Sequence, residues 1–131
     1  MTIALIGCRG FVGSAFARFF ESRSIPYIGV DRANYSAHAG RNWDVVIHAS
    51  ANSKKFVADE TPLADMEQSL ERTTAILRDF PARKFLLISS VDVYNDLSRR
   101  SATNESELIE PMGLANYGFH KYLSELLVLR H

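Results

Sequence analysis

Short apolar runs alternate with amphipathic stretches along the first part of the chain. Residues 3–6 form a continuous apolar run that stops at Gly7, a pattern typical of a strand buried in a parallel sheet. Apolar residues then recur at helical spacing, which predicts a helix over residues 11–22. A second short apolar run predicts a strand over residues 27–31. Strand, glycine turn, helix and strand in this order form one βαβ unit.

The same alternation continues to the end of the chain. Apolar runs at 45–49 and 85–88 predict two more strands, and the apolar spacing over 62–80 predicts a long helix between them. A last helix is predicted from residue 114 onward. The polar stretches are predicted to be loops: 32–42, 51–60 and 94–113. Apolar strands alternating with amphipathic helices predict an α/β fold, with a parallel sheet of about four strands covered on both faces.

Composition is that of an ordinary globular protein and excludes several classes of partner. The 131 residues fit one domain, 1–131, and 47% of them are hydrophobic. The 15 Lys and Arg residues balance the 15 Asp and Glu residues, so nothing indicates binding to nucleic acid or to an anionic membrane. The single cysteine, Cys8, cannot form an internal disulfide, and no apolar run is long enough for a signal peptide or a membrane span. We therefore expect a cytoplasmic protein.

A glycine-rich turn joins the first predicted strand to the first predicted helix. Its three glycines, Gly7, Gly10 and Gly13, are separated by two residues each. Such a turn lets backbone N–H groups and the helix N-terminus approach a pyrophosphate, because no Cβ atoms stand in the way. A position between a strand and a helix is the context that a dinucleotide-binding turn requires. The candidate cofactor contacts are Gly7, Arg9, Gly10, Phe11, Val12 and Gly13.

An acidic residue at the end of the second predicted strand completes a dinucleotide-binding pattern. Asp31 lies 18 residues after Gly13, where a carboxylate can accept hydrogen bonds from the adenosine ribose hydroxyls. Its charge would repel a 2′-phosphate, so NAD is favoured over NADP. Arg32, the next residue, argues the other way because an arginine can pair with a 2′-phosphate. Both residues are candidate cofactor contacts; the alternative for Asp31 is that it only ends a strand and begins a turn.

Tyr117 and Lys121 are spaced i, i+4, which places them one above the other on a helix. A phenol is a poor base near neutral pH unless a positive charge stabilises the phenolate, and a lysine supplies such a charge. Ser90 ends a predicted buried strand, at the sheet edge where open α/β folds bind ligands, so its hydroxyl could hold a substrate oxygen. The alternative is that Tyr-x-x-x-Lys is a common helix pattern, with a half-buried tyrosine and a solvated lysine.

Four segments, in this order along the chain, carry a family resemblance. They are Gly7-x-x-Gly10-x-x-Gly13, the segment 44–51, the Ile-Ser-Ser-Val-Asp-Val-Tyr segment 88–94, and Tyr117-x-x-x-Lys121. Together they span nearly the whole chain, and they resemble the extended short-chain dehydrogenase/reductase superfamily. Within it, the chain is similar to the NAD-dependent epimerase/dehydratase family. The resemblance implies a Rossmann-like, doubly wound parallel sheet, bound NAD and a nucleotide-sugar-like substrate.

The resemblance also implies roles for individual residues. Ser90 and Tyr117 correspond to catalytic residues, and Lys121 corresponds to the lysine that lowers the tyrosine pKa and holds the nicotinamide ribose. Asp92 is a further catalytic candidate, because dehydratases of the family carry one member of an acid pair there. Val91 replaces the other member, which argues against dehydration. The residues implied to lie along the dinucleotide are Ala49, Ser50 and Ala51.

Several positions depart from the family pattern. The signature Asn-Val-x-Gly-Thr appears as Ser69-Leu-Glu-Arg-Thr73, so the helix asparagine is absent. Asn95 replaces the glycine that normally follows Tyr94, and the interval 31–44 is too short for the usual third strand. Family members continue beyond the Tyr-x-x-x-Lys helix with further strands and a substrate lobe. We therefore expect a truncated dinucleotide-binding domain that lacks this lobe.

Two alternatives to an NAD-dependent oxidoreductase stay open: a dinucleotide-binding module without catalysis, and a fragment that binds NAD(P) without turnover. No metal is expected, because no two histidines share a helix or strand face with a carboxylate. His48 is expected to be structural, and Trp43 to be a packing residue or, alternatively, a wall beside the adenine. The apolar segment 123–129 needs covering, by further sequence or by a partner such as a second copy in a homodimer.

Overall fold

The computed structural model describes residues 1–131 and contains one sheet of four parallel strands. The strands are β1 (Ile3–Ile6), β2 (Ile28–Val30), β3 (Trp43–His48) and β4 (Ala82–Leu87). Their order across the sheet is β2-β1-β3-β4, so the chain leaves β1 on one side and returns on the other at β3. This reversal is typical of a doubly wound sheet, and it confirms the predicted Rossmann-like α/β fold.

Six α-helices accompany the strands, and none of them is both long enough and apolar enough to cross a membrane. They are α1 (Phe11–Ser22), α2 (Tyr35–His38), α3 (Lys55–Glu60), α4 (Pro62–Met66), α5 (Arg72–Asp79) and α6 (Asn116–Arg130). A π-helical segment (Glu67–Glu71) separates α4 from α5, and single 3₁₀ turns lie at Val91–Val93, Arg100–Thr103 and Pro111–Gly113.

Two of the predicted loops contain helices. The loop predicted over 51–60 is wrong in its second half, where α3 forms, and the loop predicted over 32–42 contains α2. Both helices are short, with six and four residues. An apolar period of 3.6 residues becomes visible only over two or more turns, so helices of this length leave no readable pattern in the sequence.

The long helix predicted over 62–80 forms, but its buried side differs from the predicted one. Leu63, predicted to face the core, is 73% exposed, whereas Asp65, Ser69 and Thr73 are completely buried. The π-helical segment adds a residue to one turn, which shifts the phase of the side chains along the helix. Hydrogen bonds rather than apolar contacts therefore occupy much of the buried side of this helix.

The chain divides into two compact units, and the first comprises Met1–Ala51 and Thr73–Ile88. It contains the sheet, whose two faces are both covered. Successive residues of β1 point to opposite faces, as strand geometry requires. One face packs around Ala4, Ile6, Val30, Trp43, Val46, Ile76 and Phe80, and the other around Ile3, Leu5, Phe20 and Ile47. Trp43 is 4% exposed and stacks on Phe80, so it packs within the core, as expected.

The second unit comprises Asn52–Arg72 and Ser89–His131. Its longest element is α6, which approaches the 3₁₀ turn at Val91–Val93 so closely that a Cβ atom on Gly118 would lie 2.1 Å from the Asp92 carbonyl oxygen. At the start of α6, the side-chain amide of Asn116 donates a hydrogen bond of 3.1 Å to the Ala58 carbonyl. These contacts fix the helix that carries Tyr117 and Lys121.

Candidate active site

The glycine turn lies in the first unit, between β1 and α1, and two of its glycines are required by backbone contacts. Gly7 has a φ of +84°, and a Cβ atom there would lie 2.7 Å from the Ala49 carbonyl oxygen. A Cβ atom on Gly13 would lie 2.0 Å from the Gly7 carbonyl oxygen. The turn is held to the sheet by a 2.9 Å hydrogen bond from the Gly7 N–H to the Val30 carbonyl.

The first turn of α1 presents backbone donors at this place. The first hydrogen bond along α1 runs from Ser14 N to Gly10 O, at 2.8 Å. The N–H groups of residues 11–13 come before this bond and therefore have no acceptor within the helix. A side chain on Gly10 would begin 3.3 Å from the Gly7 carbonyl oxygen and occupy the space at the helix end. Backbone donors beside an open glycine turn fit the pyrophosphate of a dinucleotide.

Asp31 directly follows β2, and both oxygens of its carboxylate have partners. Oδ2 pairs with Arg9 Nε at 2.7 Å. Oδ1 accepts hydrogen bonds from the backbone N–H groups of Ala33 at 2.8 Å and Asn34 at 3.3 Å. The Asp31 side chain is 18% exposed and that of Arg9 82%, so the ion pair lies at the surface. Asp31 Oδ1 therefore stabilises the turn after β2. A ribose hydroxyl could replace Arg9 as the partner of Oδ2.

The backbone after β3 is fixed by a buried histidine. Ser50 N–H donates to His48 Nδ1 at 3.3 Å, which makes Nδ1 an acceptor and leaves Nε2 to donate to Thr73 Oγ1 at 3.1 Å. His48 is fully buried, so a structural role fits it. The arrangement holds Ala49 and Ser50 against Gly7. The structure thus brings the candidates of the glycine turn and of segment 49–51 together within the first unit.

Ser90, Asp92 and Tyr117 come together in the second unit. Ser90 Oγ donates to Asp92 Oδ2 at 2.9 Å and accepts from the Asp92 N–H at 3.2 Å. Lys55, at the start of α3, forms an ion pair with the other carboxylate oxygen of Asp92. The Tyr117 hydroxyl donates to the Asn52 carbonyl at 3.3 Å, and Ser90 lies near enough to lower the pKa of Tyr117.

The surroundings of Tyr117 favour its neutral form. Burial raises the pKa of Tyr117 above its ordinary value of 10.0, and the charges of Asp92 and Asp65 raise this pKa further. The Ser90 hydroxyl group and the charge of Lys55 lower this pKa. In the chain alone, Tyr117 is therefore a phenol that needs additional positive charge before it can act as a base near neutral pH.

Lys121 is 4% exposed, and its Nζ lies over the Tyr117 ring, 5.4 Å from the ring centroid. Burial lowers the pKa of Lys121, while the charge of Asp65 raises it. The alternative of a solvated lysine on a common helix pattern does not hold for this side chain. A buried lysine whose pKa is shifted is a candidate functional group.

A cleft of about 440 Å³ lies beside Tyr117 within the second unit. Polar groups that can bind hydroxyls line much of it: Lys55, Asp59, Asp92, Tyr94, Asn95 and Tyr117. The cleft is partly open to solvent and has the size of a small-molecule site.

Sequence reasoning missed four polar residues of this unit: Asn52, Lys55, Asp65 and His120. Asp65 bonds to Asn52 and His120, which are 13 and 55 residues away along the chain. Single-sequence patterns report local periodicity and do not show pairings over such separations. The spacing of Asp65 and Ser69, four residues apart on one helix, was the only local signal.

The fold is shared with longer proteins of known structure. It resembles RMD from Pseudomonas aeruginosa complexed with NADPH, with a TM-score of 0.77 and 23% identity over 99% of this chain and 49% of that chain. It also resembles a UDP-galactose 4-epimerase (TM-score 0.73, 22% identity, 97% and 50% covered) and Pal from Bacillus thuringiensis (TM-score 0.72, 17% identity, 99% and 51% covered). The chain spans about half the length of these proteins.

The sequence itself matches one protein family along almost its entire length. A search of curated protein sequences finds no match. The NAD dependent epimerase/dehydratase family matches over residues 3–131, which confirms the resemblance inferred from the four motifs. The chain belongs to the NAD-dependent epimerase/dehydratase family.

Proposed function

We propose that the chain acts as an NAD-dependent oxidoreductase of the epimerase/dehydratase kind on a nucleotide-sugar-like substrate. The observation that carries the proposal is the proximity of Ser90, Asp92 and Tyr117 beside a cleft with several polar side chains, in a chain of this family. The similarity in fold to a UDP-galactose 4-epimerase supports the substrate class. When bound, the nicotinamide supplies the acceptor for a hydride that leaves the substrate carbon bearing the reacting hydroxyl.

Tyr117 is the group that takes the proton of the reacting hydroxyl. Because burial raises the pKa of Tyr117, its phenolate form requires the nearby positive charges and a hydrogen-bond donor. Lys55 and Ser90 supply a charge and a donor in the chain itself. Lys121, directly over the ring, supplies a second charge. Proton removal by Tyr117 therefore depends on two lysines from different helices.

The Ser90 hydroxyl donates its proton to Asp92 Oδ2 in the chain alone. When Ser90 donates this proton to the substrate oxygen instead, it orients that oxygen and leaves the substrate's own hydroxyl proton available to Tyr117. Lys55 holds the second oxygen of Asp92, so both carboxylate oxygens are engaged. Val91, where family dehydratases carry the other acid, is an exposed apolar side chain. These contacts favour oxidation or epimerisation over dehydration.

NAD is the proposed cofactor, on the strength of the carboxylate after β2. Asp31 can accept hydrogen bonds from ribose hydroxyls and would repel a 2′-phosphate. Arg9 neutralises part of this charge through its ion pair, and Arg32 is adjacent, so the preference for NAD is expected to be moderate rather than absolute.

A second candidate function is a dinucleotide-binding module without catalysis. The surroundings of Tyr117 favour it, because burial and two carboxylates raise the pKa of this side chain and its hydroxyl donates to a backbone carbonyl. Such a module would bind the dinucleotide and leave every nucleotide sugar unchanged.

Turnover by a Tyr117→Phe variant tests the catalytic assignment. The purified chain is incubated with NAD and a panel of UDP-, GDP- and dTDP-hexoses, and formation of the reduced dinucleotide and of sugar isomers is measured. Removal of the phenol should lower kcat about 100-fold or more, while the dissociation constant for NAD stays within about twofold. Tyr122→Phe, one residue beyond Lys121 on the same helix, is the matched control and should leave kcat unchanged.

Unchanged turnover in Tyr117→Phe contradicts the catalytic assignment. Binding of NAD by the wild-type chain without conversion of any sugar supports the second candidate. A chain that binds neither NAD nor NADP excludes both functions.

A further inference from the structure

Asp65 forms the centre of a buried polar cluster within the second unit. It lies on α4 and is completely buried. His120 Nδ1 donates to Asp65 Oδ2 at 2.7 Å, and Asn52 Nδ2 donates to Asp65 Oδ1 at 2.6 Å. His120 and Asn52 are each 7% exposed. Removing a carboxylate from water is costly. Three buried polar groups at such short distances therefore indicate that the cluster has a role beyond packing.

One arm of the cluster leads to the hydroxyl of Tyr117. Through its own side chain, Asn52 accepts from the Lys54 N–H at 2.9 Å and donates to the Lys54 carbonyl at 3.0 Å. The bond to Asp65 holds this compact turn in place. The Asn52 carbonyl then accepts the hydrogen bond from the Tyr117 hydroxyl. Asp65 thereby determines where the partner of the proposed catalytic phenol lies.

The other arm of the cluster leads to α6, where His120 lies between Tyr117 and Lys121. His120 lies three residues after Tyr117 and directly before Lys121. Its bond to Asp65 joins α6 to α4, and Ser124 Oγ donates to the His120 carbonyl at 2.9 Å one turn further on. Together with the contacts of Asn116 and Gly118, this bond sets the rotation of α6 about its axis and the placement of both side chains.

The charge of Asp65 also acts on Lys121. Burial lowers the pKa of Lys121, and Asp65 is the carboxylate that opposes this effect. The remaining charged groups around Tyr117, Asp92 and Lys55, are paired with each other. Asp65, which also pairs with His120, is therefore the carboxylate whose charge favours the ammonium form of Lys121.

We propose that Asp65 is a positioning residue for the Tyr117 and Lys121 pair: it fixes Tyr117 through Asn52, fixes α6 through His120, and balances the charge of Lys121. This role rests on the proposed function, in which Tyr117 exchanges a proton with a substrate hydroxyl. Asp65 lies outside the four motifs and on α4, whereas Tyr117 and Lys121 lie on α6. It therefore supplies contacts to this pair that no residue of the motifs supplies.

Asp65→Asn tests the proposal, because it removes the charge and retains the size of the side chain. The titration of the Lys121 side chain is followed by NMR of the free chain, with Lys121→Arg to assign the signal. We expect Lys121 to titrate at lower pH in Asp65→Asn than in the wild type, since the opposing carboxylate is gone. Glu67→Gln removes an exposed carboxylate two residues away and should leave the Lys121 titration unchanged.

Kinetics supply the second measurement. Asp65→Asn should lower kcat about 10- to 100-fold with little change in the KM for NAD, and should shift the pH profile of kcat. Asn52→Ala keeps the charge of Asp65 but removes its link to the turn, so it should lower kcat and leave the Lys121 titration in place. Asn52→Ala also carries the test if Asp65→Asn fails to fold.

An unchanged Lys121 titration in Asp65→Asn, or an unchanged kcat in Asn52→Ala, overturns the proposal. The NMR measurement needs neither substrate nor dinucleotide. A wild-type chain without turnover, in which Asp65→Asn still shifts Lys121, therefore contradicts the proposed function and supports the charge coupling. Turnover without that shift contradicts only the role of Asp65.

Discussion

Lys121 keeps only 4% of its surface exposed, although lysine is almost never buried without a partner. Burial lowers its pKa below the ordinary value of 10.5, and the charge of Asp65 reverses only part of this effect. Between the lowered pKa and 10.5, the unfolded chain binds more protons than the folded chain. The free energy of unfolding therefore rises as the pH increases through this window. At neutral pH, the charge of Lys121 costs stability that a neutral side chain would not.

Lys121→Met should accordingly raise the free energy of unfolding by about 1 kcal/mol at neutral pH, because it removes the buried charge and retains much of the side-chain volume. The gain should shrink as the pH approaches 10.5. Urea unfolding at a series of pH values measures both effects. Lys84→Met, at an exposed position of β4, should change stability by less than about 0.5 kcal/mol. A Lys121→Met variant that is less stable than the wild type at every pH contradicts this account.

Close backbone contact is what fixes the first helix to the sheet. α1 begins beside the glycine turn, and Gly13 approaches the Gly7 carbonyl so closely that no Cβ atom fits. Gly10 differs, because a Cβ atom there would meet its nearest neighbour at 3.3 Å and would point into the space at the helix end. Gly13 is therefore required for packing, whereas we expect Gly10 to leave room for a ligand.

Gly13→Ala and Gly10→Ala should separate these purposes. Gly13→Ala should lower the free energy of unfolding by about 3 kcal/mol, because α1 must move away from the turn. Gly10→Ala should cost about 1 kcal/mol or less and weaken the binding of NAD about tenfold or more. Chemical unfolding and calorimetric titration of the two variants give these quantities. Equal losses of stability in both variants would contradict the assignment of different roles to Gly10 and Gly13.

At the scale of the whole molecule, the balanced charge gives no long-range attraction to a polyanion, so binding must come from local contacts. We expect the donors of the glycine turn and the Asp31 carboxylate to supply such contacts. A ligand that binds only the folded chain stabilises it by mass action. Dinucleotide binding should therefore be visible as a change in the stability of the chain.

NAD at about 100 times its dissociation constant should stabilise the chain by about 2.7 kcal/mol, which raises Tm by several degrees. NADP should reach the same shift only at a higher concentration, because Asp31 repels the 2′-phosphate. Thermal unfolding at increasing concentrations of each dinucleotide measures the difference. Tyr117→Phe should retain the full shift with NAD. NADP acting at a lower concentration than NAD would refute the preference assigned to Asp31.

The succession of strands and longer helices along the chain could be predicted because it depends on local patterns. Continuous apolar runs marked all four strands to within three residues at either end, and α1 began and ended as predicted. The glycine turn was recognisable because three glycines stand between a strand and a helix. The short helices α2 and α3 and the π-helical segment were not predicted, because each is too short to produce a period or changes the period of a longer pattern.

The sequence by itself thus determined the fold class, the family and the candidate residues of the four motifs, since these depend on residue type and spacing along the chain. Only the tertiary structure decided the state of these residues. The pairing of Asp31 with Arg9 and the burial of Lys121 depend on which distant segments meet. The cluster of Asp65 with His120 and Asn52 does so as well, across 55 and 13 residues. Burial and charge balance are properties of these contacts, and no local pattern contains them.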